Sequence, residues 1–401
     1  MLLPILVGQA AIQSLEALRT ESEHLLPALK VDAEHKTRPD VVLSSVGCGN
    51  NWSTGYFALD PEPALNAARR RIEAVDSFSG FLISYATAGG TGSGLGSRLT
   101  AELRDAIGEP KACMHALPVV PFSSGDTAVQ SYNSVLALAT AIEHADMVVP
   151  IVNDRLLRMA CPVGAAAKRR GPNHDSGKDA PVDHLLGMNR TASSMVVHGY
   201  LASSPTGNYS VWDPVTATVP LPTCPIVSCT WSGAIRGMPT TPPDALSALD
   251  ALLVTVPALT QDAPFITSCI GAQLHVSRPL IASPPWKWST VQSRLRTRLK
   301  FAQHLYDPLD PILQWRSVLP QAAPGRMGHS QATLSNMTLL YNSASSATSL
   351  LVPPLIQATK RFSVGSFLHH YTNAVGTEWI PLAIEQLWGT VDAYRWAVSP
   401  E

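Results

Sequence analysis

The feature that most constrains this chain is the stretch 81–96, FLISYATAGGTGSGLG, where an apolar run passes through glycines into a helix. The run 81–85 predicts a buried strand. After the glycines, apolar residues recur every four positions and predict the buried face of a helix: Leu95, Leu99, Leu103 and Ile107. Glycines let a backbone approach a ligand closely, and the unpaired amides of a first helical turn attract an anion. The stretch therefore predicts a phosphate-binding loop.

Two common glycine-loop motifs do not fit these letters. A P-loop requires a lysine directly after its glycines, and this loop contains none. A dinucleotide fingerprint requires a third glycine where Ser97 stands, and an acidic residue after the next predicted strand, 112–120, where none follows. A flexible linker is disfavoured by the strand and the helix on either side. The loop is therefore a phosphate loop of another kind.

The stretch GGTGSG resembles the signature loop of the tubulin family. The longer stretch 76–96, with Ala88 in place of the first glycine of the usual triple, is most similar to its delta branch. Further segments resemble family motifs in family order: GQ at 8–9, VDAE at 31–34, GCGNNW at 47–52, VVP at 119–121 and FLHHYT at 367–372. The resemblance implies a GTP site with Mg²⁺, at the carboxyl ends of parallel strands.

The resemblance assigns the site residue by residue. It implies phosphate contacts from Gln9, Asn50 and the loop residues Ala88, Gly89, Gly90, Thr91, Gly92, Ser93 and Gly94. It places Gln13 near the base, Asp126 and Asn133 near the ribose, and Asn153 at the guanine edge. For Gln13, a solvent-exposed position at a helix start is an equal alternative. Asp126 is also placed to cap the helix predicted at 127–144. Leu185 stands where the family carries a second base-reading asparagine.

Two carboxylates at i, i+2, Asp32 and Glu34, are candidate Mg²⁺ ligands, since Mg²⁺ beside phosphates keeps most of its waters. Asp213 matches the first of two acids that a tubulin offers to the nucleotide of a neighbouring subunit, and the second is replaced by Thr216. We therefore expect at most a slow GTPase that needs a partner subunit.

The predicted fold is α/β and tubulin-like. A parallel-sheet GTP-binding domain spans 1–192, an intermediate α+β domain spans 193–345, and C-terminal helices span 346–401. Only 18 residues separate Gln13 from Asp32, fewer than the resemblance implies, so either the first domain is shortened near its start or the sequence is incomplete there. Residues 2–7 predict a first buried strand, and 61–74 predict an amphipathic helix. Within the later domains, the alternation of Arg294, Arg296, Arg298 and Lys300 predicts a solvated strand face, and helices are predicted at 357–371 and 378–396.

Composition limits the partners. A net charge of −1 gives no electrostatic case for nucleic acid or an anionic membrane, and no run approaches the length of a membrane span. Six cysteines without metal spacing are expected to be reduced and cytosolic. The resemblance implies other tubulins or centriolar and basal-body proteins as partners, in the cytoplasm and cytoskeleton. Two alternatives stay open: a nucleotide-binding enzyme outside the cytoskeleton, and a degenerate member that binds partners without nucleotide.

Overall fold

The computed structural model describes most of the chain. The described residues are 1–15, 25–35, 38–107, 112–125, 127–160, 182–196, 210–232, 245–254, 267–277, 281, 287–302, 305, 313–318, 337–371 and 377–399. No helix among these residues is long and apolar enough to cross a membrane.

The first half of the chain forms one parallel sheet. Its strands are β1 (Leu2–Val7), β2 (Leu29–Asp32), β3 (Val41–Val42), β4 (Gly80–Ala86), β5 (Cys113–Val120), β6 (Met147–Val148) and β7 (Ile151–Val152). The order across the sheet is β3-β2-β1-β4-β5-β6, and β7 also pairs with β5. From β1, the chain first adds strands on one side, β2 and β3, and then on the other side, β4 to β6. The segments that follow the neighbouring strands β1 and β4 therefore leave the sheet in different directions. Open parallel sheets bind ligands at such a switch point, beyond the carboxyl ends of the strands.

Helices pack on both faces of this sheet. They are α1 (Gly8–Leu15), α2 (Glu62–Glu73), α3 (Gly96–Ile107), α4 (Gln130–His144), α5 (Asn153–Ala160) and α6 (Val182–Ser194). Short π-helical turns cover Thr54–Ala58 and Thr91–Leu95. One core joins β1, β4 and β5 to α3 and α4, while a second core lies on the opposite face beneath α1, α5 and α6. The buried side chains Leu95, Leu99 and Leu103 form the predicted apolar face of α3.

The second sheet is mixed. It contains β8 (Val227–Trp231), β9 (Thr267–Ser277), β10 (Leu299–Phe301), β11 (Leu313–Val318) and β12 (Met337–Ser343), in the order β10-β9-β12-β8, with β11 also on β9. Strands β10 and β11 run parallel to β9, and β12 runs antiparallel to β8 and β9. Helices α7 (Asp213–Thr218), α8 (Ala245–Val254) and α9 (Trp288–Arg298) accompany it. The predicted α/β tubulin-like class, with a parallel sheet followed by a mixed α+β part, is confirmed.

Two C-terminal helices, α10 (Ala344–Ser363) and α11 (Trp379–Val398), pack against each other and against α4. Tyr394 of α11 ties this pair to the mixed sheet, because its hydroxyl oxygen accepts from the amide of Ile226 at 2.8 Å and donates to the carbonyl of the same residue at 3.2 Å. The helical pair is therefore part of the core around both sheets rather than an appendage.

Several predicted element boundaries are wrong. The three arginines of the alternating pattern lie on helix α9, because Val291 and Leu295, one helical turn apart, are the buried positions of that segment. Helix α4 begins at Gln130 and its N-cap is Val129, so the predicted start at residue 127 is one turn early. Helix α10 begins 13 residues before the predicted start at 357, capped by the Ser343 hydroxyl, and ends at Ser363.

Candidate functional site

A cavity of about 590 Å³ opens at the carboxyl ends of β1, β2 and β4, where the strand order predicts a ligand. The segments after these strands and after β5 and β7 form its walls. The lining residues are Gly8, Gln9, Ala10, Gln13, Asp32, Glu34, Gly47, Cys48, Gly49, Asn50, Ala86, Ala88, Gly89, Gly90, Thr91, Gly92, Val119, Pro121, Phe122 and Asn153. This volume is within the range of ordinary ligand sites.

The glycine-rich loop presents bare backbone to this cavity. A side chain at Gly89 would meet only the Asn50 amide oxygen, 3.9 Å from its Cβ, so this part of the loop faces open space. The loop then enters the helix through the π-helical turn, whose wider hydrogen bonding often marks a functional site. Ser93 closes the turn internally, since its amide and its hydroxyl both donate to the carbonyl of Gly89. The loop therefore offers amides rather than side chains to a ligand.

Other glycines of the loop serve packing. A Cβ on Gly94 would lie 2.2 Å from the carbonyl oxygen of Trp52, and one on Gly55 would lie 2.2 Å from the carbonyl oxygen of Gly90. The two π-helical turns thus pack backbone against backbone, which only glycine allows. The structure consequently places Gly94 and the buried Ser93 away from the cavity, although the resemblance implied ligand contacts for both.

The polar side chains predicted from β1, β3 and β7 do converge. Gln9 and Gln13 lie on α1, Asn50 lies on the turn after β3, and Asn153 begins α5 directly after β7. Asn50 has a positive φ of 56°, a conformation that asparagine tolerates better than most residues. All four line the cavity together with the glycine loop.

The two candidate metal ligands also line the cavity. Asp32 is the last residue of β2 and is buried, and its Oδ1 accepts from the amide of Ala33 at 2.8 Å. Glu34 reaches the turn after β3, because a Cβ on Gly47 would lie 2.2 Å from its Oε1. No lysine or arginine is among the described residues of the lining, so the fixed charge of the cavity is negative. A polyphosphate would need a divalent cation here, and two carboxylates with water are a suitable Mg²⁺ site.

Cys48 is a lining residue that the sequence did not indicate. Its sulfur accepts a hydrogen bond from the Thr91 hydroxyl at 3.4 Å, which joins the turn after β3 to the glycine loop. Burial raises the pKa of the Cys48 thiol, and the charges of Asp32 and Glu34 raise it further, against the hydrogen bond from Thr91. The Cys48 side chain is therefore an uncharged thiol that lines the cavity.

Asn133 was expected at the ribose but is enclosed behind the cavity wall. Its amide nitrogen donates to the carbonyls of Asn50 at 2.8 Å and Ala88 at 2.6 Å. Its amide oxygen accepts from the Trp52 amide at 3.1 Å and the Tyr371 hydroxyl at 2.8 Å. All four bonds are used within the protein, so Asn133 fixes the cavity loops from behind. Asp126, its predicted companion, lies outside the described residues.

The other predicted positions lie away from the cavity lining. Leu185 on α6 is 45% exposed, and the amide oxygen of the nearby Asn189 accepts from the Ser14 hydroxyl at 3.3 Å. Asp213 begins α7, where its carboxylate accepts from the Ser210 amide at 2.9 Å, and Thr216 is exposed one turn later. Other lining residues that sequence reasoning missed are Gly8, Ala10, Pro121 and Phe122. Gly8 carried a signal, since it is a glycine that directly follows a strand and begins α1.

Comparison with known proteins identifies the domain that holds this cavity. Residues 11–161 match the GTPase domain of the tubulin/FtsZ family. The matched residues contain both π-helical turns, the two carboxylates and Asn153, which are most of the cavity wall. The description of the matched family as a GTPase domain implies guanine-nucleotide binding by such domains.

Three curated relatives have comparable similarity. The chain is 37% identical to the tubulin gamma chain of Saccharomyces cerevisiae over 137 residues, which is 34% of this chain and 28% of that protein. It is 39% identical to the human tubulin delta chain over 113 residues, or 27% of this chain and 24% of that protein. It is 35% identical to the tubulin beta chain of Porphyra purpurea over 123 residues, or 30% of this chain and 27% of that protein. The chain thus spans about a quarter of the length of the curated relatives it matches, and these identities do not distinguish the delta branch.

Proposed function

We propose that this chain is a tubulin-like protein that binds GTP with Mg²⁺ in the cavity at the carboxyl ends of the parallel strands. The observation that carries the proposal is the bare glycine loop, whose amides line a negatively charged cavity of about 590 Å³. A helix-entry loop of this kind favours phosphate. The absence of lysine and arginine from the described lining favours a nucleotide that arrives with its own cation.

Each wall has a separate task in this proposal. The amides of the loop 88–92 bind the phosphates, Asp32 and Glu34 hold the ion, and Asn153 and Gln13 bind the base. An amide side chain can pair with both a carbonyl and a ring nitrogen of guanine. Bound Mg²⁺ supplies charge neutralisation of the phosphate oxygens. The backbone and two carboxylates of this chain thereby select a metal-bound polyphosphate over a free one.

Hydrolysis by the isolated chain is expected to be slow. Acceleration of phosphoryl transfer to water requires a group that orients the attacking water. Among the described lining residues no histidine is present, and the carboxylates Asp32 and Glu34 are assigned to the ion. We propose that Asp213 acts on the nucleotide of a neighbouring subunit. Single-turnover hydrolysis by the chain alone, measured against a mixture with tubulin, tests this assignment.

Equilibrium titration with GTP and ATP, each with and without Mg²⁺, tests the nucleotide proposal. Gly89→Ala adds a methyl group where the protein leaves space, so it should fold normally and weaken Mg–GTP binding at least about tenfold, or roughly 1.4 kcal/mol. Gly389→Ala is the matched control, since it adds the same methyl group in open space on α11. Unchanged GTP affinity in a folded Gly89→Ala protein would overturn the proposal.

A second candidate is a family-like module that binds partners without nucleotide. Leu185 favours it, because a leucine outside the cavity lining stands where the resemblance implies a second asparagine for the base. Negligible affinity for GTP and for ATP, with Mg²⁺ present, would establish this candidate and exclude the first.

We further propose a cytoplasmic, cytoskeletal role with other tubulins as partners, and among the branches a delta-like role at centrioles or basal bodies. The similarity of the matched stretch to the human tubulin delta chain supports this. Imaging of a tagged copy tests it, and a uniform signal through the cell cycle would contradict it. We also propose domain boundaries at 1–192, 193–345 and 346–401, supported by the positions of the two sheets and the helical pair.

A further inference from the structure

A second cavity, of about 340 Å³, lies between helices α4, α5 and α10. Its floor is formed by the ends of β5, β7 and β8, and its walls by residues one helical turn apart on α4 and α10. Pro121 and Phe122 line both this cavity and the first one, so they form the partition between the two. No residue assigned above to phosphate, base or metal lines the second cavity.

The charge of this cavity is positive. Its described lining contains two arginines of α5, Arg155 and Arg158, and one carboxylate, Asp154. That carboxylate already accepts a hydrogen bond from the amide of Ser123 at 2.9 Å. Within the described part of the chain, no carboxylate forms an ion pair with Arg158, which is exposed. The α5 side of the cavity therefore favours an anionic group.

The α10 side combines apolar surface with hydrogen-bond acceptors. Leu350, Pro353 and Pro354 line it, and the prolines lie inside the helix. Proline has no N–H, so the carbonyls of Ser349 and Leu350 cannot receive the ordinary hydrogen bond from four residues ahead. A ligand with an N–H or O–H group would satisfy an acceptor there, and its apolar body would contact Leu350 and the prolines.

We propose that this second cavity binds a small amphipathic anion: a molecule with a carboxylate or sulfonate at the α5 arginines, an apolar body and one N–H or O–H donor. Its volume suits a molecule of two or three rings. The chemistry of the lining differs from that of the first cavity in the sign of its charge. Binding here does not depend on whether the first cavity takes a nucleotide.

The probe that tests this is 8-anilinonaphthalene-1-sulfonate, which carries a sulfonate, an aromatic body and one N–H group, and fluoresces in apolar surroundings. We expect saturable binding to the full chain with a stoichiometry of one. Arg158→Gln should weaken that binding roughly tenfold, because a hydrogen bond to a charged group is lost. Arg70→Gln on α2 makes the same charge change at an exposed position outside the cavity and should leave the affinity unchanged.

Cavity filling gives a second readout. Ser349 is exposed on α10 and lines the cavity, so Ser349→Phe should abolish saturable fluorescence without removing a core contact. Thr359→Phe adds a ring at an exposed position of the same helix outside the cavity and is the control. Gly89→Ala, which adds a methyl group to the first cavity, should not change binding of the probe. Urea unfolding midpoints establish that each variant is folded.

Two outcomes would overturn the proposal. Binding that persists in both Arg158→Gln and Ser349→Phe would place the dye elsewhere on the surface. Binding lost in Gly89→Ala but kept in Ser349→Phe would place it in the first cavity.

Discussion

Replacing Asn133 with alanine should destabilise the protein strongly, although Asn133 does not line the candidate nucleotide cavity. The side chain is fully buried on α4 and makes four hydrogen bonds of 2.6 to 3.1 Å. The substitution leaves the Trp52 amide, the Tyr371 hydroxyl and the Ala88 carbonyl without this partner in the protein interior. At about 1 kcal/mol for each bond, we expect a loss of about 3–4 kcal/mol in the free energy of unfolding.

Urea unfolding followed by tryptophan fluorescence and far-ultraviolet circular dichroism measures this loss. Tyr371→Phe is the matched variant, because it removes one of the four bonds and keeps the ring, and it should cost about 1 kcal/mol. In a double-mutant cycle, the two changes should sum to less than their separate costs by about 1 kcal/mol, since they share one bond. A loss below about 1 kcal/mol for Asn133→Ala would refute the reasoning, because buried polar groups left unpaired cost more than that.

Three further predictions concern charged and titratable groups. Burial lowers the pKa of His115 to about 3. Below pH 6.5 this imidazole is therefore protonated in the unfolded chain and stays neutral in the native protein. Stability should therefore fall by roughly 2 kcal/mol between pH 7 and pH 5 from this residue alone, and His115→Asn should remove that part of the slope in urea titrations. Burial raises the pKa values of Cys48 and, to about 12, of Cys229. Both thiols should resist a thiol reagent at pH 8 until urea is added, as peptide mapping would show; labelling of either in the native protein contradicts this. Glu34→Gln should weaken GTP binding with Mg²⁺ and strengthen it without Mg²⁺, because the removed charge attracts the ion and repels the phosphates. A change in the same direction under both conditions would exclude Glu34 as an ion ligand.

The elements that sequence predicted best are those with a local pattern. Strand β1 occupies the predicted residues 2–7, and α2 lies within the predicted helix at 61–74. Strand β4 contains the predicted run 81–85, and the buried face of α3 is the predicted one. In each case the type and the bounds of the element follow from its own hydrophobic periodicity and from a glycine or proline at its end. No contact with a distant part of the chain is needed to predict it.

The prediction of α10 failed because local rules were overridden. Two adjacent prolines at 353–354 argue locally for a break in a helix, and the predicted helix at 357–371 lies entirely after them. The structure continues the helix through them, because Leu350, Leu351 and Leu355 are buried on both sides of the prolines. Tertiary burial of that apolar face outweighs the lost hydrogen bonds.

The roles of the loop glycines show a second limit. From sequence, every glycine of the loop is equally suited to a phosphate. In the structure, Gly89 faces the cavity, whereas Gly94 packs directly against the backbone of Trp52 and leaves no room for a side chain. That difference depends on a segment about 40 residues earlier in the chain, and no local pattern reports it. The side-chain amide of Asn133 is a similar case, since its four partners come from three separate segments, at 50–52, 88 and 371.

The shape of the candidate nucleotide site therefore depends on residues outside the matched GTPase segment. Tyr371 donates to Asn133, and Asn133 in turn donates to the carbonyls of Asn50 and Ala88, which belong to two segments that line the cavity. The side-chain amide of Asn51 donates to the carbonyl of His370, which ties a cavity wall directly to the same C-terminal segment. A phosphate loop built from backbone can be positioned only by what packs against it, because it has no side chains of its own to fix it. The segment 367–371 is consequently part of the nucleotide site in a physical sense, and a chain cut after residue 161 would keep the motifs while losing the bonds that hold them in place.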